Sequence, residues 1–216
     1  MKPICTIIFC VLAFFSCMHD QMEFSCDPVL NEYISTHREE YILYTVNDLA
    51  VSEPIVQQAI FRSFTPEKKR EIWLQKIHFL LETEPYKDAE YIHVEKLLEH
   101  LHENYFNKEN LVLEASQRSQ FATEWINFAK SSLGWSDRDV AFVVFRMYIN
   151  QAQFDNEMSM LKTIKQKAIA DSEAVPCDCH TSTDFCMSSL CNNGNCQITT
   201  GCGWFWSENC DGTCQY

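Results

Sequence analysis

The sequence predicts an all-α helical domain followed by a small disulfide-rich C-terminal module, after a cleavable signal sequence. Three observations predict it. Eight of the twelve cysteines and four of the five glycines crowd into residues 177–216. Residues 27–150 read as helices separated by proline, capping side chains and one glycine, with little of the alternation that marks strands. Residues 4–15 are apolar apart from Thr6 and follow a single basic residue, Lys2.

The N-terminal stretch is too short to span a bilayer, which takes about 20 residues, and has the size of a signal-peptide core. Residues 1–17 are therefore assigned as a signal peptide. Phe14-Phe15-Ser16-Cys17 resembles a bacterial lipobox, with Phe where Leu is commonest. In that reading Cys17 is acylated and tethers the chain to a membrane; ordinary cleavage near the same point is the alternative. Without Cys5, Cys10 and Cys17, Cys26 is left as an odd thiol beside the eight in the tail, free or paired between molecules.

The helical segment begins at Asp27-Pro28, a capping side chain before a proline at the first helical position. Leu30, Tyr33, Ile34, His37 and Tyr41 follow at helical spacing. Ser52-Glu53-Pro54 opens a second helix with Ile55, Ala59 and Ile60. Thr65-Pro66-Glu67 opens a third with Ile72, Trp73, Ile77 and Leu80 on one side. Ala89 to Phe106 reads as a fourth and Leu111 to Leu133 as a fifth, with Gly134 placed for a left-handed C-terminal residue. Ser136-Asp137-Arg138-Asp139 is a capping-box-like start for a last core helix with Val140, Val144, Phe145 and Tyr148. Residues 151–176 read as a helix running into a linker, a plausible place for proteolytic processing.

Residues 177–216 hold no Lys or Arg, and their only sizeable aliphatic side chains are Met187, Leu190 and Ile198. So little apolar volume cannot offset chain ordering, and a segment of about 40 residues then needs disulfides or a metal. Cys177, Cys179, Cys186, Cys191, Cys196, Cys202, Cys210 and Cys214 contain no C-x₂-C knuckle, so disulfides fit better than zinc or an iron–sulfur cluster. Spacing alone does not choose the pairing, except that Cys177 and Cys179 should go to different partners. Bridges at about 2–4 kcal/mol each would be ample for such a module. Disulfides and an export signal agree on an oxidising compartment.

Catalytic chemistry finds no purchase in the sequence. Gly134 is the only glycine before residue 194, which rules out phosphate-cradling loops outside the tail, and the tail lacks lysine. No G-x-S-x-G or H-E-x-x-H occurs, and no cysteine nucleophile is present between Cys26 and the tail. His93, His100 and His102 lack the three- or four-residue spacing of helical metal ligands and read as surface histidines among Glu95, Glu99 and Glu103. No enzyme, cofactor or metal is expected.

The formal net charge is −13, and the tail contributes Asp178, Asp184, Glu208 and Asp211 without a compensating cation. Nucleic acid is therefore a poor partner. Trp204-Phe205-Trp206 are adjacent in a very small module, so at least one should face outward and make Trp204, Phe205 and Trp206 candidate contacts for a receptor, glycan or membrane. The competing reading makes the three rings the filler of a miniature core.

These residues resemble the bacteriocin fulvocin C-related proteins of bacteria. The resemblance rests on Cys177-Asp178-Cys179, Asp184-Phe185-Cys186, Gly201-Cys202-Gly203-Trp204 and the closing Cys210 and Cys214. It extends more loosely upstream to Thr65-Pro66-Glu67-Lys68, Trp73, Trp125 and Phe128, and covers residues 50 to 216. It implies an exported protein whose cysteine-rich end is similar to a bacteriocin and contacts an unknown cell-surface or envelope target; a shared scaffold does not by itself fix function. In one reading the helical domain is a carrier and the tail the active module. In the other the chain is a lipid-anchored envelope binding protein without antibacterial activity.

Overall fold

A computed structural model describes residues 24–25, 27–156, 179–181, 184, 191–193 and 199–214. The signal segment 1–17 with Cys17, Cys26, and residues 157–176 of the assigned linker lie outside the described residues. The fold is mostly helical, with short strand pairs in the tail.

The helices begin where local chemistry starts them. Asp27 Oδ1 accepts from Val29 N at 2.8 Å and Leu30 N at 3.2 Å to open α1 (Pro28–Thr36). After a break at His37 come α2 (Arg38–Tyr41), α3 (Val46–Ala50) and α4 (Pro54–Ser63). Thr65 caps α5 (Pro66–Thr83) by accepting from Lys68 N. Next come α6 (Asp88–His100), α7 (Lys108–Leu113) and α8 (Ala115–Ser132). Gly134 ends α8 at φ +74°, and Trp135 N donates back to Ala129 O at 3.0 Å. Ser136 and Asp139 exchange side chain-to-backbone bonds at the start of α9 (Asp137–Val144).

Three expected helices stop short of, or break within, their apolar patterns. α6 stops at His100 rather than Phe106, because Leu101 leaves helical geometry, its carbonyl accepting from Arg70 Nε at 2.7 Å. Tyr105 and Phe106 then turn into the core. The expected helix from Leu111 to Leu133 is two helices broken at Glu114, whose carboxylate receives His102 and Arg118. The last core helix ends at Val144, short of Phe145 and Tyr148. There the carbonyls of Phe142 and Arg146 accept from Lys76 Nζ, and that of Phe145 from Trp206 Nε1. Residues 151–156 are helical, and Phe154 packs against Phe142, so the core continues past residue 150.

The core lies between α5 and the surrounding helices: Ile72, Trp73, Ile77 and Leu80 meet Val94 and Leu97 of α6, with Trp125 of α8 and Phe145 joining the same apolar cluster. Burial of aromatic side chains on this scale dominates the energetics. In the tail, β1 (Cys191–Asn192) pairs antiparallel with β4 (Thr213–Cys214), and β2 (Thr199–Cys202) with β3 (Glu208–Cys210). A one-turn 3₁₀ segment, Trp204–Trp206, joins β2 to β3.

Candidate functional site

The residues singled out for contact, Trp204, Phe205 and Trp206, form the tip of the β2–β3 hairpin. Its register pairs Thr199 with Cys210, Thr200 with Asn209 and Cys202 with Glu208, which leaves Gly201 as a bulge. Gly201 has φ +89°, and a Cβ there would meet Arg62 Nε at 3.2 Å. Cys202 and Cys210 close the hairpin with a disulfide across a Cα–Cα distance of 5.1 Å. Within that ring Trp206 N donates to Gly203 O at 3.0 Å and Ser207 N to Trp204 O at 3.1 Å. Phe205 and Trp206 take left-handed backbone angles, φ 53° and 55°. Such angles on bulky residues persist only where the surroundings enforce them.

The enforcement comes from the helical core. The expectation that at least one of the three rings faces outward is overturned: Trp204, Phe205 and Trp206 are 1%, 0% and 5% exposed. Nor do they fill a separate miniature core. Trp204 lies 5.6 Å edge-on to Trp125 and 6.1 Å from Phe145, Phe205 sits 5.0 Å from Trp73, and Trp206 sits 5.3 Å from Phe61. Trp206 Nε1 donates to Phe145 O at 2.9 Å, whereas Trp204 Nε1 has no hydrogen-bond acceptor among the described residues. The helices lack the ring volume that the tip supplies, and the tail lacks helices to bury it; each completes the other.

Charged groups fasten the hairpin to the body. Arg62 of α4 donates through Nε to Thr200 O and through Nη1 to Phe24 O at 2.9 Å, with Nη2 at 3.9 Å from Cys210 Sγ. Arg146 pairs with Asp184 at 3.7 Å, and that carboxylate also accepts from Gly203 N at 3.0 Å. The Asp184 side chain is only 3% exposed, so breaking this pair would leave a buried charge. Lys76 is wholly buried. Its ammonium lies over the Trp73 and Phe142 rings and donates to the carbonyls that close α9. Burial, and then the Arg146 charge, push its pKa well below the usual lysine value.

The second disulfide, Cys179–Cys191, spans 6.0 Å between Cα atoms and stands apart from this contact. Cys179 N donates to Gly212 O at 3.2 Å, and Gly212 N returns to Cys179 O at 3.0 Å. A Cβ at Gly212 would meet Cys191 Sγ at 2.6 Å and Asn192 O at 2.7 Å, so the turn requires glycine. Asp211 accepts from Thr181 N at 2.7 Å. Of the other predicted disulfide cysteines, Cys177, Cys186 and Cys196 lie outside the described residues, as does Cys17. Cys214 closes β4 opposite Cys191.

The reading of His93 and His100 as surface residues is corrected. His93 is 2% exposed, stacks on Trp125 at 4.3 Å and shares a 3.1 Å bond from Nε2 with Trp125 O. His100 stacks on Phe121 at 3.7 Å and faces Trp204 and Phe205 at 6.4 Å. Burial lowers both from the ordinary 6.5 to about 4, helped at His100 by the charges of Arg118 and His102. His102 is exposed and pairs with Glu114 at 3.0 Å. Among the described residues no three His, Cys, Asp or Glu side chains are placed to share a metal ion.

Open surface lies elsewhere. Val46, Arg70, Leu74, Gln75, His78 and Phe79 line a shallow groove of about 530 Å³ between α3 and α5. Ile42, Leu43 and Val51, exposed at 53%, 79% and 76%, flank α3 in the chain. Comparison of the chain with known protein families, characterised proteins and solved structures finds no match.

Proposed function

We propose that this chain is an exported, non-enzymatic binding protein of the bacterial envelope, held there by acylated Cys17. In this reading the tail remains docked in the helical body. The observation that carries it is the burial of Trp204, Phe205 and Trp206 among Trp73, Trp125 and Phe61. A tail that acts after excision would have to pull three aromatic rings out of the core, each burying on the order of 150–250 Å². Contact with a target is assigned instead to outer surfaces such as the α3 region, where apolar side chains are exposed. The disulfides Cys179–Cys191 and Cys202–Cys210 support an oxidising location.

The resemblance to fulvocin C-related bacteriocins supports a second reading, in which the chain kills neighbouring cells. The same burial then requires the whole folded chain, not a released tail, to be the active species.

Mass spectrometry and fractionation of the natural protein test both. The expected product is membrane-held, begins at acylated Cys17, and keeps residues 177–216 associated with the helices even if residues 157–176 are cut. A free tail that purifies alone, folded and bactericidal, would sink the envelope reading.

A further inference from the structure

We propose that closure of Cys202–Cys210 gates the folding of the whole helical body. Both cysteines are fully buried, and Arg62 and the helical core cover the hairpin they close. An oxidant cannot reach the thiols once the tip is docked, so the bond must form first. The step is thiol–disulfide exchange with an external disulfide: one Cys thiolate attacks it, forming a mixed disulfide and releasing one external thiol. The second thiolate then attacks the mixed disulfide, closing Cys202–Cys210 and releasing the other, so two electrons and two protons leave with the two reduced external sulfurs.

Closure matters because of what the ring contains. Gly203, Phe205 and Trp206 hold positive φ in succession or near it, a run that an open chain rarely samples. Closing so short a ring biases the chain toward the folded form on the order of 100-fold, before the enforced turn is counted. The turn presents Trp204, Phe205 and Trp206 as one block, and that block supplies the partners of Trp73, Phe61, Trp125 and Phe145. Without it the centre of the helical core is missing three rings. Cys179–Cys191 is not part of the gate, since it joins a turn and a short strand outside the apolar core. On the export reading above, the gate keeps the reduced chain loose enough for translocation and lets it fold only after passage into an oxidising compartment.

The test is refolding of the full chain from denaturant with oxidised glutathione or with excess dithiothreitol. Near-ultraviolet circular dichroism, amide exchange of α5 and α8, and acid-trapped alkylation with peptide mapping are followed together. Cys202–Cys210 closure should precede the near-ultraviolet signal, and the reduced chain should lose α5 and α8 protection by on the order of 100-fold or more. The double variant Cys202→Ala/Cys210→Ala should behave like the reduced chain, whereas Cys179→Ala/Cys191→Ala should still acquire the near-ultraviolet signal and α5 and α8 protection once Cys202–Cys210 closes. Protection that appears before closure in the wild-type chain overturns the gate, whatever the alanine variants do. So does a reduced chain whose protection stays within about threefold of the oxidised one. Cell fractionation is scored separately: a chain that is not exported removes the translocation role and leaves the folding gate intact.

Discussion

Cys202–Cys210 and Cys179–Cys191 close rings of similar size, yet they do different work. The sequence separations are 8 and 12 residues, so loop entropy alone assigns each about 3 kcal/mol. Their surroundings differ. The first ring wraps an aromatic tip that sits in the helical core beside Trp73 and Trp125. The second holds a turn together around Gly212, where backbone and sulfur leave no room for a side chain. One disulfide therefore couples two regions of the chain, and the other shapes one of them. Any difference in their measured contributions beyond ring size reports the docked tip.

The largest effect that bears on this comparison comes from the tip itself. Phe205→Ala should destabilise the whole protein by about 3–5 kcal/mol, because it removes a fully buried ring between Trp73 and Tyr105. Asn192→Ala, on an exposed position of β1, should stay within about 0.5 kcal/mol. Denaturant unfolding followed by helical circular dichroism checks both. A Phe205→Ala protein with an unchanged midpoint would mean that the tip and the helices fold independently. The disulfides come next. Cys202→Ala/Cys210→Ala should cost more than the ~3 kcal/mol of its ring, and Cys179→Ala/Cys191→Ala no more than that. Equal losses would erase the distinction.

The sequence carries those parts of the fold that are set locally. Asp27, Thr65, Ser136 and Gly134 mark helix ends through bonds reaching only a few residues, and each is where its chemistry places it. The strands were less legible, since two to four residues held by disulfides and glycine carry no alternation to read. The long-range features were not legible. Leu101 stops α6 in response to Arg70, thirty-one positions away, and the end of α9 opens to receive Lys76 and Trp206. Composition separated a cysteine-rich tail from an apolar helical segment. No local pattern says that Trp204, Phe205 and Trp206 belong to the core of the other segment. Three large rings with only Met187, Leu190 and Ile198 to pack on were the one available signal: too much aromatic surface for the tail to bury alone.

Acid sharpens the contrast at smaller scale, because a half-buried histidine faces the tip. His100 abuts Trp204 and Phe205, and among charged groups it meets Arg118, His102 and Glu114. His93 stacks beneath Trp125 and is near Lys96. Both are held neutral in the folded state, with pKa lowered from 6.5 to about 4, so the unfolded chain binds more protons between those values. Their contribution is complete above about pH 6.5 and is lost as pH falls toward 4, by up to ~1.4 kcal/mol per pH unit for each histidine. Asp48, lowered by Thr45, acts below that window, and Glu90, lowered by its bond from Lys87 N, adds to the loss from its acid edge downward. A stability profile from pH 7 to 4 should slope downward, and His100→Gln should make it shallower while leaving the share due to His93. A wild-type profile that is level over this range would show the histidines to be hydrated.

The smallest effect separates two neighbouring tryptophans. Trp206 Nε1 donates to Phe145 O, whereas Trp204 Nε1 is buried without an acceptor among the described residues. Replacing either by Phe removes similar ring volume from a tight core, so the packing losses should nearly cancel in the difference. Phe145 O keeps its bond from Arg146 Nη1 at 2.8 Å, which spares the Trp206 variant a fully unsatisfied carbonyl. Trp206→Phe should therefore cost about 1 kcal/mol more than Trp204→Phe, the net worth of one hydrogen bond. Paired denaturant titrations read that difference directly. If Trp204→Phe proves the more damaging, its indole N–H has a partner after all, and the docking of the tip rests more evenly on its two tryptophans.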